Sequence, residues 1–105
     1  MKTLQEVEKL RREIDQCDEQ LRDVVRIRVA LVRRIVAHKL TSGVGMHDEE
    51  REAWIVARFK DIECPVERQL MTSLYSQIFQ SGKKLWQNAL EGTSNSDEVV
   101  GDLTD

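Results

Sequence analysis

Apolar residues recur every three or four positions through the first forty residues: Leu4, Val7, Leu10, Ile14, Cys17, Leu21, Val24, Leu31 and Ile35. That spacing draws one stripe down a single α-helix, and the segment holds neither Gly nor Pro to break it. The stripe fails at one position: where it calls for an apolar side chain at 28, the chain has Arg28. At about 1.5 Å per residue, some 35 residues make a rod of roughly 50 Å, against a radius of gyration near 13 Å for a compact domain of this length. The rest of the chain is too short to wrap such a rod. The pattern therefore predicts a partner helix, most economically from a second copy of the chain.

After Leu40 the run TSGVGMH, residues 41–47, carries two glycines and a serine and reads as a loop. A second helix then starts at Asp48, a good N-cap followed by Glu49 and Glu50 where the helix dipole favours acids. Ile55, Phe59 and Ile62 give it an apolar stripe, and it ends near Glu63-Cys64-Pro65, because the residue before a proline disfavours helix. Pro65 opens the third helix, which runs to about Leu90. Its face is marked by Leu70, Leu74, Ile78 and Leu85, with Met71, Tyr75 and Phe79 beside it. Gly82 interrupts that helix at a cost of about 1 kcal/mol relative to alanine, which signals close packing or room left for something. The expected fold is all-α: one long, one short and one medium helix per chain, in an intertwined homodimeric bundle. Residues 1–90 form the helical domain and 91–105 an acidic, disordered tail.

Composition refines this picture in two places. A net charge of −3 hides an asymmetry, since the last fifteen residues hold five acids and no base, and residues 1–90 carry +2. A mildly basic folded part permits a small anionic ligand and argues against nucleic acid. Two cysteines make no disulfide framework, and Cys17, inside the stripe, reads as a small buried hydrophobe. The N-terminus lacks an apolar signal core and no run approaches membrane-spanning length, so the expected location is cytoplasmic, with no membrane partner.

Most charges fall off the stripes and need no explanation, but four cations do not. Arg28 interrupts the first stripe, Arg11 borders it, and Lys39 lies three turns beyond Arg28 on nearly the same face. Arg51 stands one turn before Ile55 on the apolar side of the second helix, with Glu52 beside it. A buried cation costs several kcal/mol unless paired, so cations directed into a bundle await anions. Two readings stay open on these grounds: intersubunit salt bridges to acids such as Asp18, Asp48 and Glu52, or a pocket for a small dicarboxylate, which the planar fork of Arg suits.

LRREIDQCDEQL, the Arg26-Ile27-Arg28 triplet with ALVRRI after it, Lys39, and Asp48-Glu49-Glu50-Arg51-Glu52 together resemble the all-helical (AroQ-class) chorismate mutases, over residues 4 to about 90. The resemblance implies an intertwined homodimer with two active sites, each borrowing an arginine from the partner. It implies that Arg11 clamps one substrate carboxylate and that Arg28 is donated across the dimer to the other. Lys39 would hydrogen-bond the ether oxygen and a carboxylate, and Arg51 would line the site. Asp48, partly through its backbone, and Glu52 would hold the ring hydroxyl. The implied reaction is the pericyclic rearrangement of chorismate to prephenate, which needs no nucleophile, metal or cofactor; His38 and His47 in any case lack ligand spacing with the cysteines.

The third helix departs from the family's pattern. Aligned on LYSQIF, Gly82 stands where a serine is usual, and Trp86 where the family has a Gln or Glu aimed at the ether oxygen. A shift of one residue would bring Gln87 and Lys83 to the site instead, at the expense of Leu74 and Ile78 on the core face. The departure keeps two alternatives beside the mutase: an enzyme of this fold acting on 4-amino-4-deoxychorismate or isochorismate, or a non-catalytic dimeric binding protein.

Overall fold

The computed structural model describes residues 2–43 and 48–92. Among them are three α-helices and no strand: α1 (Lys2–Ser42), α2 (Glu49–Ala57) and α3 (Pro65–Glu91), with a 3₁₀ turn at Arg58–Asp61 between the last two. The chain is all-α. None of these helices is long and apolar enough to cross a membrane. Most of the expected tail, residues 93–105, lies outside the described residues, while Glu91 still belongs to α3.

Compact packing divides the chain into two units, Met1–Val32 and Arg33–Asp105, with the division inside α1. In the first unit the apolar stripe finds no cover. Leu10, Ile14, Leu21 and Val24 are each more than half exposed, and Cys17, expected to be buried, is exposed with them. Its position in the stripe is as read; what the unit lacks is a second surface to bury it.

The second unit has a core of its own around Val36 of α1 and Phe59 of the 3₁₀ turn. The Phe59 ring sits 5.0 Å from Tyr75, and Tyr75 sits 5.8 Å from Phe79 in an edge-on arrangement. Such pairs add about 0.5–1.5 kcal/mol each beyond the area they bury. The inward face of α3 runs through Met71, Tyr75, Ile78, Gly82, Leu85 and Ala89, all half-buried, with Leu74 and Trp86 beside it. Leu70, expected on that face, is 64% exposed. The correction is about 100° of helix: the four-three-four spacing from Met71 fits the buried series, and Leu70 falls one position before it.

The ends of α1 and α2 and the start of α3 each have an identifiable local cause. α1 runs two residues past its expected end, because the hydroxyls of Thr41 and Ser42 turn back onto the carbonyls of His38 and Lys39, at 2.8 and 3.3 Å. It stops at Gly43, whose φ of +75° an L-residue rarely adopts and whose N–H donates to the Lys39 carbonyl at 3.0 Å. The rest of the expected loop, residues 44–47, lies outside the described residues. The second helix, expected to be uniform to residue 62, tightens instead into the 3₁₀ turn from Arg58, where Ile62 N–H reaches back to the Phe59 carbonyl at 3.1 Å. Cys64 must be extended before Pro65, and its φ of −73° and ψ of 117° are. Arg68 pins this connection from α3, its guanidinium donating to the Ile62 carbonyl at 2.8 Å and its N–H to that of Cys64 at 2.9 Å.

Phe59 joins the 3₁₀ turn to α3 through Tyr75. Phe59→Ala is expected to cost about 3 kcal/mol or more, read as a lower urea midpoint. A loss below 1 kcal/mol would mean that the aromatic cluster does not organise this unit.

Candidate active site

Two of the candidate residues belong to the first unit. Arg11 is exposed and pairs with Glu8 one turn earlier at 3.3 Å, an ion pair whose partners are 69% and 59% exposed. A pair so open to water is worth at most about 1 kcal/mol, and an anion can displace it. Arg28 is half-buried. Seventeen positions of one helix separate these two arginines, about 25 Å along the axis and about 100° around it. That is several times the span of a small dicarboxylate, so the Arg11 and Arg28 of one chain do not meet on one ligand.

The other candidates lie in the second unit. Lys39, in the last turn of α1, is half-buried, and its backbone is held by the Gly43 and Ser42 bonds just described. Asp48, Arg51 and Glu52 share the start of α2. The Asp48 carboxylate accepts the Arg51 N–H at 3.0 Å, and the Asp48 carbonyl accepts the Glu52 N–H at 3.1 Å. Asp48 is thus the N-cap the sequence predicts. Glu52 is half-buried; Asp48 and Arg51 are exposed. The Arg51 guanidinium lies over the indole of Trp54, 5.2 Å from its centroid, and Arg58 approaches the same ring at 4.9 Å. This arrangement was not anticipated, although Arg51, Trp54 and Arg58 at spacings of three and four carry the signal in the sequence.

On α3, Gly82 and Trp86 stand one turn apart, both half-buried. A methyl group added at Gly82 would meet nothing within 4 Å. Of the two meanings of a mid-helix glycine, the described residues favour room over close packing. Trp86 has an indole N–H to donate but no carboxamide or carboxyl, so the chemistry at its position is apolar with one donor.

The family model for chorismate mutase type II matches residues 10–87, about three quarters of the chain. The chain belongs to this family. Among curated proteins and solved structures none matches it significantly. As a type II chorismate mutase family member the protein has the all-α architecture found above, and every candidate position from Arg11 to Trp86 lies inside the matched span. In this family the reaction class is isomerisation and the implied substrate class is chorismate.

The open space at Gly82 gives a direct expectation. Gly82→Ala should stabilise the protein by about 0.5–1 kcal/mol through better helix propensity, seen as a higher urea midpoint at unchanged slope. Destabilisation instead would place the surface of another element or a second copy against that glycine.

Proposed function

We propose that the protein is a chorismate mutase that converts chorismate to prephenate as a homodimer with shared sites. The observation that carries the reading is the family match over residues 10–87, which spans all eight candidate positions. Two features of the chain support the dimer. The stripe of α1 in the first unit is more than half exposed at Leu10, Ile14, Leu21 and Val24, and burial of such residues is worth about 1.5–3 kcal/mol apiece. Arg11 and Arg28 stand too far apart on one helix to hold one substrate, so a site that uses both takes one from each of two chains.

The mechanism in this reading is electrostatic and conformational. Arg11 and the partner copy's equivalent of Arg28 bind the two carboxylates and hold the diaxial, chair-like conformer in which the bond-forming carbons approach. Lys39 donates to the ether oxygen, where negative charge builds as the C–O bond breaks, and also to a carboxylate. Glu52 accepts a hydrogen bond from the ring hydroxyl, Asp48 holds the same oxygen partly through its backbone, and Arg51 lines the site near a carboxylate. One C–O bond breaks and one C–C bond forms within a single molecule, so no proton, electron or covalent adduct passes to the protein. Cations fixed before the reaction are what it needs.

A second reading has its own observation. Gly82 leaves space and Trp86 brings an indole where the family has polar side chains, which suits a related substrate such as 4-amino-4-deoxychorismate or isochorismate. Losing a donor aimed at a developing oxyanion costs typically 10²–10³ in rate. The deciding experiment offers chorismate, 4-amino-4-deoxychorismate and isochorismate separately to the purified protein and identifies products by chromatography and mass spectrometry. Prephenate from chorismate at an enzymatic rate is expected; turnover of only another substrate would move the protein to the second reading. If nothing is turned over, both enzyme readings fail and a binding role is left.

Shared sites make a separate prediction. Arg11→Ala and Arg28→Ala should each lose about 10²-fold or more in kcat/KM. Unfolded together and refolded as a 1:1 mixture, they should recover about a quarter of wild-type activity, since half the dimers are mixed and each mixed dimer has one intact site. No recovery, with mixed dimers demonstrated by mass spectrometry, would sink the shared site.

A further inference from the structure

The start of α2 treats its arginine differently from the arginines of α1. Arg11 and Arg26 are each engaged by a carboxylate one turn earlier, Glu8 and Asp23 respectively. Such a pair occupies the guanidinium's in-plane N–H edge and offsets its charge. Among the described residues neither Arg51 nor Arg58 forms an ion pair; both lie over Trp54. A ring engages the flat face of a guanidinium rather than its edge, and it leaves the charge uncompensated. The edge that binds a carboxylate bidentately remains open.

The sequence builds this arrangement from helix geometry. Helical side chains lean toward the N-terminus, over the preceding turn. Trp54 therefore leans over Arg51, three residues earlier, and Arg58 leans over Trp54, four residues earlier. The indole is 54% exposed. Isolated at the surface, an arginine of four rotatable bonds would sample many positions. Here the backbone of Arg51 is fixed by the Asp48 cap and its guanidinium by the ring. On the reading that Arg51 lines a dicarboxylate site, we infer that Trp54 is a positioning residue, held by Arg58 from the following turn, that presents the open edge of Arg51 to a substrate carboxylate.

The test is a double-mutant cycle on chorismate turnover, with Trp54→Leu, Arg51→Ala and their combination. A cation over an exposed ring is worth a factor of about two to five. Trp54→Leu is expected to raise KM by that factor with kcat within about twofold, and Trp54→Phe, which keeps a ring face, should restore most of the loss. In the Arg51→Ala background Trp54→Leu should have no further effect. An equal loss in both backgrounds, or no loss in either, overturns the proposal. An Arg51→Ala variant that binds chorismate normally overturns the reading beneath it, which is a different result. A measurement that needs no activity separates the two further: the Arg51 side-chain protons should show an upfield ring-current shift by NMR that Trp54→Leu abolishes. Shifts unchanged by that substitution would overturn the stack itself.

Discussion

The apolar stripe along α1 sets the terms for everything else in this molecule. Leu10, Ile14, Leu21 and Val24 keep more than half their surface in water when the chain is taken alone. Each such side chain would gain by burial, so the seam is the largest source of unrealised stability in the chain. The second unit differs in degree: Val66, Leu70 and Leu90 stay exposed there, but other apolar side chains are covered. It has Val36 and Phe59 at its centre, an aromatic run from Phe59 to Phe79, and a connection pinned by Arg68. The two halves of the chain thus differ in how much apolar surface they bury within the chain itself.

The cations follow the same division. On α1 they are carried by a helix whose length spreads them out, so that Arg11 and Arg28 are remote from each other by construction. Around α2 two of them are gathered on one indole, Arg51 from its first turn and Arg58 from the 3₁₀ turn that follows. A ligand with two carboxylates needs charges that are close in space but need not be close in sequence, and helices from two chains supply that more readily than one helix can. The chain, a member of the chorismate mutase type II family, carries these positive side chains on helices rather than on loops.

Much of this could be read from residue order. The three-four spacing gave α1, the Asp48 cap gave the start of α2, and Pro65 gave the start of α3, because each is a local rule with a local cause. Two misreadings also had local causes. The run from Thr41 reads as a loop, but the hydroxyls of Thr41 and Ser42 bond back to carbonyls and extend α1. The spacing of Leu70 with Leu74 and Ile78 draws it onto the inner face of α3, while Gly82 and Ala89, which contribute little apolar signal, mark the true one. Cys17 shows a different limit: periodicity finds the face a residue occupies but not what covers it. The Arg51–Trp54–Arg58 stack is legible in its three-four spacing, which a search for apolar stripes alone does not pick out.

The two tryptophans stand at opposite kinds of place. Trp54 is more than half in water under two guanidinia, and Trp86 is half-buried on α3 one turn from open space. Their emission should therefore differ in colour and in access to a soluble quencher. Each also neighbours a position where ligand chemistry is proposed. The protein thus carries two built-in optical reporters, one on each of two helices, and occupancy of the two regions can be followed separately without attaching a dye.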